Sequence, residues 1–476
     1  MSVSIASGVS AINPNVSSGS LILGSAKASP QLRRIASALM PSDIVIVGDS
    51  TSDESTEWGR LLASLFSVGV GKNHTVVYRQ WSDARQQYAT TQEVAIGPLG
   101  RRYISAGSAA TSHRIEVTTS AVTGDLTVIV GVGLEGGSPS SQFAICGHGG
   151  EDGNRAWRLE LTTGNQIFFG HTATGLQANE ISRTFTALNS TVLNASFIWL
   201  RLELDVNDGS GNNVATLSTS SDRVTWTTVG TSSLVGTTSI FNSTATMQFV
   251  GRYGGNISSL GKNFRFYAME VFASLTEADM RASVDCGVIP TQTSAATPYS
   301  TSFNDDTGRA STVTYNASTL VGSPRLCFFN GSVGGTTISY ASDPTRYTKL
   351  FAGTPSFVLI NYSHNETSDV DYAPNYTALT DLIEAEFVSA AIYPVLQNKR
   401  YSPATFREEH EIRLQQIAVL AGSKSWGLVD HYSYVSSGYM KADGIHPDPA
   451  TGIETVLANV TYNTLTASGF NYVNPG

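Results

Sequence analysis

Charge is what this 476-residue chain has least of. Lys, Arg, Asp and Glu together make up 14% of it, against roughly 25% in ordinary soluble domains. The net charge is −9 and no block of Lys or Arg stands out, so the sequence carries no footprint for nucleic acid. Cysteine is scarce too. Cys146, Cys286 and Cys327 are widely spaced and odd in number, which excludes a disulfide framework or a metal knuckle and leaves buried free thiols. No apolar run reaches the ~18 residues of a membrane span. The start, MSVSIASGVSAINPNVSSGS, has neither the basic region nor the apolar core of a secretory signal. A protein of this kind that works outside a cell gets there another way, such as by assembly into a virus particle. FNDDTG and GEDGN are oxygen-rich but lack the spacing of a calcium loop, and they read as turns.

Gly, Ser, Thr and Asn fill the space that charge leaves, a balance that suits β-rich, loop-rich surfaces. Residues 1–30 read as a polar leader with one short strand, SLILG. SPQLRRIASALM reads as a helix with Ser29 as N-cap and Pro30 at its first position. DIVIVGDS has the continuous apolar run of a strand buried on both faces. DESTEWGRLLASLF follows as an amphipathic helix, with Asp53, Glu54 and Glu57 near its start, where the helix dipole favours negative charge. From about Arg101 to Cys286 the pattern is alternating β, as in WLRLELDV and AWRLELT, which predicts an antiparallel sandwich. Strand–helix alternation then returns, and the helix in ATFREEHEIRLQQIAVLAG is expected to end at Gly422. The predicted organisation is a leader (1–30), an α/β domain split into 31–100 and 288–476, and an all-β insertion at 101–287.

Functional groups of a parallel sheet collect at the carboxyl ends of its strands. Polar clusters stand at such ends here: Gly48-Asp49-Ser50, Asn330 to Gly335, and Ser363-His364-Asn365-Glu366. A fourth, Asp443-Gly444-Ile445-His446, lies in the loop before the last helix. Together they contain the parts of an ester hydrolase. Ser50 can attack a carbonyl, His446 can take its proton, and Asp443 can orient the imidazole. Gly335 can offer a backbone N–H and Asn365 a side-chain N–H to the oxyanion, with Ser50 N–H beside them. Other readings of the same residues are open. Asp49 and Ser50 are good helix caps, His446 can be a loop histidine satisfied by backbone, Asp430 in LVDHY is a competing acid, and His364 can line the site or support its loop. His74, His113, His148 and His171 read as surface or satisfied residues.

The ordered blocks resemble the SGNH (GDSL-type) hydrolase family. IVIVGDS matches the first block. FFNGSVGGTT is similar to the second, with the oxyanion glycine at Gly335. FVLINYSHNE is similar to the third, with the family's Asn at Asn365, and DGIHPDPATG matches the fifth, with the triad pair at Asp443 and His446. Ser363 stands where the family has Gly, and Glu366 where it has Asp. The resemblance spans roughly 30–100 and 300–476. It implies an α/β/α sandwich and a serine esterase without metal or organic cofactor.

The insertion resembles a concanavalin A-like (laminin G-like) jelly roll in pattern alone. The combination, with DESTEWGRLLA, VVYRQW and VLINYSHNE, resembles minor tail proteins of phages that infect actinobacteria. That resemblance implies a virion tail enzyme acting outside the host cell. It would remove acyl groups, acetyl among them, from a surface polysaccharide or glycolipid, with other tail proteins as partners. Trimers are common among such proteins, and nothing in this sequence shows one. Two alternatives remain at this point: a non-catalytic receptor-binding tail protein on a hydrolase fold, and a lipase or thioesterase with a non-carbohydrate substrate.

Overall fold

Ile44, Val45, Ile46 and Val47 have no polar group to offer water, and β-branching favours the extended chain. They form the centre of strand β1 (Ser42–Gly48), buried along its whole length. Burial on both faces requires two covering layers, and the residues divide accordingly. Ile44 and Ile46 pack with residues of helices α1 (Ala28–Ser37), α2 (Trp58–Val68) and α5 (Ile453–Ala467). Val45 and Val47 pack with residues of α3 (Asp369–Glu386) and α4 (Arg407–Lys424).

The computed structural model describes residues 25–467, apart from 55, 89–91, 107–114, 135–141, 150–151, 250–263, 289–298, 305–309, 316–319, 352, 367–368 and 403–405. The expected strand SLILG, His113 and parts of FNDDTG and GEDGN lie outside the described residues. The chain forms two units, Met1–Gly100 with Ser323–Gly476, and Arg101–Gly322.

The first unit is mixed α/β. Five further strands join β1: β2 (Thr75–Ser82), β3 (Arg325–Asn330), β4 (Pro355–Asn361), β5 (Ala391–Leu396) and β6 (Val429–Asp430). They pair in parallel in the order β6-β5-β4-β1-β3-β2, with two short antiparallel strands at the β2 edge. The chain runs from β1 to β2 at the edge, returns to β3 between them and then crosses to β4, β5 and β6. The connections after the neighbouring strands β1 and β3 thus leave in opposite directions, the arrangement at whose carboxyl ends ligand sites of parallel sheets form.

The second unit is all-β. Its strands form two antiparallel eight-stranded sheets among the described residues. They share one apolar core, to which Trp157, Phe169, Leu200, Leu202 and Phe266 contribute. The strand Ile198–Asp205 alternates as the sequence predicts, with Leu200, Leu202 and Leu204 buried and Arg201 and Glu203 part-exposed. The second boundary is a correction. It falls at Gly322 rather than 287, because the strands Tyr299–Asn304 and Ala310–Tyr315 pair with each other and extend one of the sandwich sheets. Leu320–Val321 then pairs with Tyr103–Ala106, so the insertion leaves beside the point where it began.

Three helix limits also differ from expectation. α1 starts at Ala28 with Lys27 as N-cap, because Ser25 already accepts from the N–H groups of Lys27 and Ala28. Pro30 therefore falls in the first turn, where its missing N–H costs nothing. α2 starts only at Trp58, and the acids at 53, 54 and 57 shape the loop before it. α4 runs through Gly422 to Lys424 and ends where Ser425 turns left-handed at φ 56°.

Candidate active site

The register of the sheet brings the polar clusters together. Ile46 pairs with Asn330 on one side of β1, and Gly48 pairs with Asn361 on the other. Gly48 must be glycine, since a Cβ there would lie 2.8 Å from Asn361 O. Beyond it the chain reverses around Asp49. That buried carboxylate accepts from Thr51 N–H at 3.1 Å and from the Thr51 hydroxyl at 3.0 Å. Asp49 thus organises the turn rather than capping α2, and the turn presents Ser50 at its apex.

Ser50 Oγ lies 2.7 Å from His446 Nε2, and His446 Nδ1 lies 2.7 Å from Asp443 Oδ2. With Nδ1–H donating to the carboxylate, Nε2 carries the lone pair that the serine hydroxyl can reach. Asp443 Oδ1 also accepts from the N–H groups of Ile445 (2.8 Å) and His446 (3.0 Å). Its slight burial opposes the charge, but bonds from the His446 ring and these two N–H groups outweigh that and hold the carboxyl down to about 2. The loop is fixed from behind. Asn398 donates to Ile445 O at 2.8 Å, and Tyr401 N–H donates to Gly444 O at 2.8 Å. Gly444 itself sits at φ 66°.

Opposite this loop, Val333 N–H donates to Gly48 O at 3.0 Å, and a turn follows in which Gly335 takes φ 75°. Gly334 lies against Ser50: a Cβ on it would stand 3.5 Å from Ser50 Cβ and 2.6 Å from Asp53 Oδ2. The Gly334 N–H is bonded to the Asp53 carboxylate. Burial raises the Asp53 pKa, with Glu54 and Asp49 adding to the effect. A Cβ on Gly335 would meet open space. Among the described residues, the N–H groups of Ser50 and Gly335 have no protein acceptor. Asn365 Nδ2 donates to Thr336 O at 3.3 Å, which places the amide beside the same turn. Glu366 Oε1 accepts from Ile338 N–H at 2.6 Å, a bond that ties the Asn365 loop to the glycine turn. Ser363 is equally occupied, between Gln397 Oε1 at 2.5 Å and His410 Nε2 at 2.9 Å. Both departures from the family pattern therefore have work in this loop.

Asp430 is placed elsewhere, accepting from Ser433 N–H at 3.0 Å. His364 is buried, with Nε2 2.8 Å from Asn398 O and its ring edge-on to His410, so it supports the loop. His74, His148 and His171 are buried with polar partners at Met40 O, Ala245 O and Arg183. All three cysteines are buried and free. No group of three or more His, Cys, Asp or Glu among the described residues is placed to hold a metal ion. Sequence reasoning missed Asn361 and Gln397, which tie the strand ends together beneath Ser50. The signal was available, because both stand at the carboxyl end of an apolar, parallel strand.

No family model and no curated protein matches this chain. Among solved structures, the chain is similar to a peptidoglycan O-acetylesterase at 10% identity, covering 94% of this chain and 97% of that one, with a TM-score of 0.36. It is also similar to a variant of an acetyl xylan esterase from Geobacillus stearothermophilus at 14% identity, covering 30% of this chain and 73% of that one, with a TM-score of 0.26. A pentraxin from Limulus polyphemus is similar at 10% identity, covering 37% and 76% of the two chains, with a TM-score of 0.26.

Proposed function

We propose that this protein is a serine esterase of the SGNH type that removes acyl groups, acetyl among them, from a surface glycan. The observation that carries the reading is the continuous chain Ser50 Oγ–His446 Nε2 and His446 Nδ1–Asp443 Oδ2, with 2.7 Å at each link. Among the described residues the N–H groups of Ser50 and Gly335 have no protein acceptor, which supports assigning them, with the Asn365 amide, as the oxyanion donors.

The steps follow from this geometry. His446 Nε2 takes the hydroxyl proton as Ser50 Oγ bonds to the ester carbon, and the carbonyl oxygen becomes an oxyanion facing the N–H groups of Ser50, Gly335 and Asn365. Collapse breaks the bond to the alcohol oxygen, which leaves with the proton from His446. Water then attacks the acyl-enzyme and gives a proton to His446. The second collapse breaks the bond to Ser50 Oγ, which recovers that proton, and the carboxylic acid departs. Asp443 holds the imidazole in its tautomer throughout and stabilises the imidazolium.

The glycan substrate, the concanavalin A-like character of Arg101–Gly322 and a place on a phage tail belong to this proposal and rest on the motif and pattern resemblances. The test is turnover of p-nitrophenyl acetate and longer esters, with Ser50→Ala as control. Loss of serine is expected to lower kcat by about 10⁴-fold or more, and a fluorophosphonate probe should label wild type but not the variant. Falling rates with chain length would favour acetyl over lipid substrates. Wild type that neither turns over an ester nor takes the label would leave a binding protein on a hydrolase fold.

A further inference from the structure

Gln397 is the first residue after β5 and is 1% exposed. Its amide bonds to both sides of the site at once. Nε2 lies 2.8 Å from Asp49 Oδ1, 2.9 Å from Thr51 Oγ1 and 2.9 Å from Asn361 O. Oε1 accepts from the Ser363 hydroxyl at 2.5 Å and from His364 N–H at 2.9 Å. Asp49 and Thr51 belong to the turn that presents Ser50, and Asn361 ends the strand β4 beside it. Ser363 and His364 open the loop that carries Asn365. Donor and acceptor sides face opposite chemistries, so the amide has one orientation and cannot flip without losing both sets.

The clamp continues on each side. Asn361 Nδ2 donates to Thr51 Oγ1 and Ser52 Oγ, both at 3.0 Å. Beyond Ser363, His410 bonds the same hydroxyl and Arg413 donates to Ser363 O at 2.7 Å. Asp49 Oδ2 is buried without a partner among the described residues, so Gln397 and Thr51 supply the bonds that hold this carboxylate. Gln397 is buried from solvent, and hydrogen bonds shielded in this way are costly to leave unmade.

We propose that Gln397 is a positioning residue that fixes the nucleophile turn against the Asn365 loop, and so sets where Ser50 Oγ stands relative to the oxyanion donors. This rests on the esterase reading. It adds a residue that touches neither substrate nor reacting atoms, yet governs the geometry between two groups that do.

The test compares Gln397→Met, which keeps length and loses every bond, with Gln397→Glu, which keeps the acceptor and loses the donors beside Asp49. Each is assayed on p-nitrophenyl acetate well below its melting temperature. Displacements on the scale of 1 Å cost about 10²-fold, so kcat is expected to fall about 10- to 100-fold with KM nearly constant. Fluorophosphonate labelling of Ser50 should slow by a similar factor. A lower melting temperature with kcat and labelling at wild-type values would overturn the proposal and leave Gln397 a stabilising residue only. If neither variant folds, Ser363→Gly decides. It removes one donor to Oε1, and a several-fold loss of kcat at constant KM supports the clamp, whereas an unchanged kcat overturns it. A wild-type protein without turnover or labelling defeats the esterase reading itself, and the positioning role falls with it. That outcome is visible before any Gln397 variant is made.

Discussion

Asp443 is the most exposed member of the hydrogen-bonded chain, with 43% of its side chain open to solvent against 28% for His446. A hydrogen bond this exposed contributes little to folding. Its effect falls on the imidazole. In Asp443→Asn, Oδ1 can still accept from the Ile445 and His446 N–H groups, but the amide N–H faces Nδ1 and favours the wrong tautomer. The expected result is a loss in kcat of about 10²- to 10⁴-fold with a nearly unchanged melting temperature. Asp430→Asn, which alters only a bond to Ser433 N–H, should leave kcat unchanged. Steady-state kinetics and thermal melts on both variants check this. Equal losses from the two would remove Asp443 from its proposed role.

At the start of α2 two buried acids meet. Glu57 accepts from Glu54 N–H at 2.9 Å, and Glu454, in the first turn of α5, accepts from Trp58 N–H at 2.9 Å. Burial raises Glu57 from 4.5 to about 9 and Glu454 from 4.5 to about 7, despite those bonds, with nearby acids adding to the effect. The folded state therefore holds protons that the unfolded state releases above about 4.5. The stability linked to Glu57 is fully present below that pH and declines as pH rises through about 9. Glu57→Gln keeps an oxygen for Glu54 N–H and has no charge to bury. It should melt higher than wild type at about pH 8–9, with the gap closing toward about pH 4–5. A gap that stays constant with pH would contradict the linkage.

The same helix shows the limit of pattern reading. The apolar spacing of Trp58, Leu61, Leu62 and Leu65 was legible, because it depends only on the helical period. The start was not, because Trp58 N–H is capped by a carboxylate 396 residues away in sequence. The strand DIVIVGDS was legible for a similar reason: its burial on both faces leaves a mark at every position. Ser50, Asp443 and His446 could be named from motif order, but their separation could not. Gln397 stood where functional groups of a parallel sheet collect, but its partners could not be named until the loops it joins were known.

At the scale of the whole chain, the alternation of Leu200, Leu202 and Leu204 announced an all-β insertion, while its far boundary escaped. The strands Tyr299–Asn304, Ala310–Tyr315 and Leu320–Val321 return to the sandwich, although residues from 288 onward were expected to belong to the α/β domain. The corrected boundary has a consequence that experiment can reach. Ser323 N–H donates to Gly100 O at 2.9 Å, and Leu99 N–H reaches Ser323 Oγ at 3.3 Å. The two cut ends of the α/β unit thus already touch, and a loop of a few residues closes the gap at small entropic cost. Each unit has its own apolar core, and the residues proposed for catalysis all lie in the α/β unit. A chain with Arg101–Gly322 replaced by a short Gly/Ser linker should therefore fold cooperatively and hydrolyse p-nitrophenyl acetate with the kcat of the full protein. Retained turnover of the small ester with lost turnover of an acetylated polysaccharide would assign glycan capture to the sandwich. A spliced chain that folds but no longer hydrolyses the small ester would show that catalysis needs the insertion.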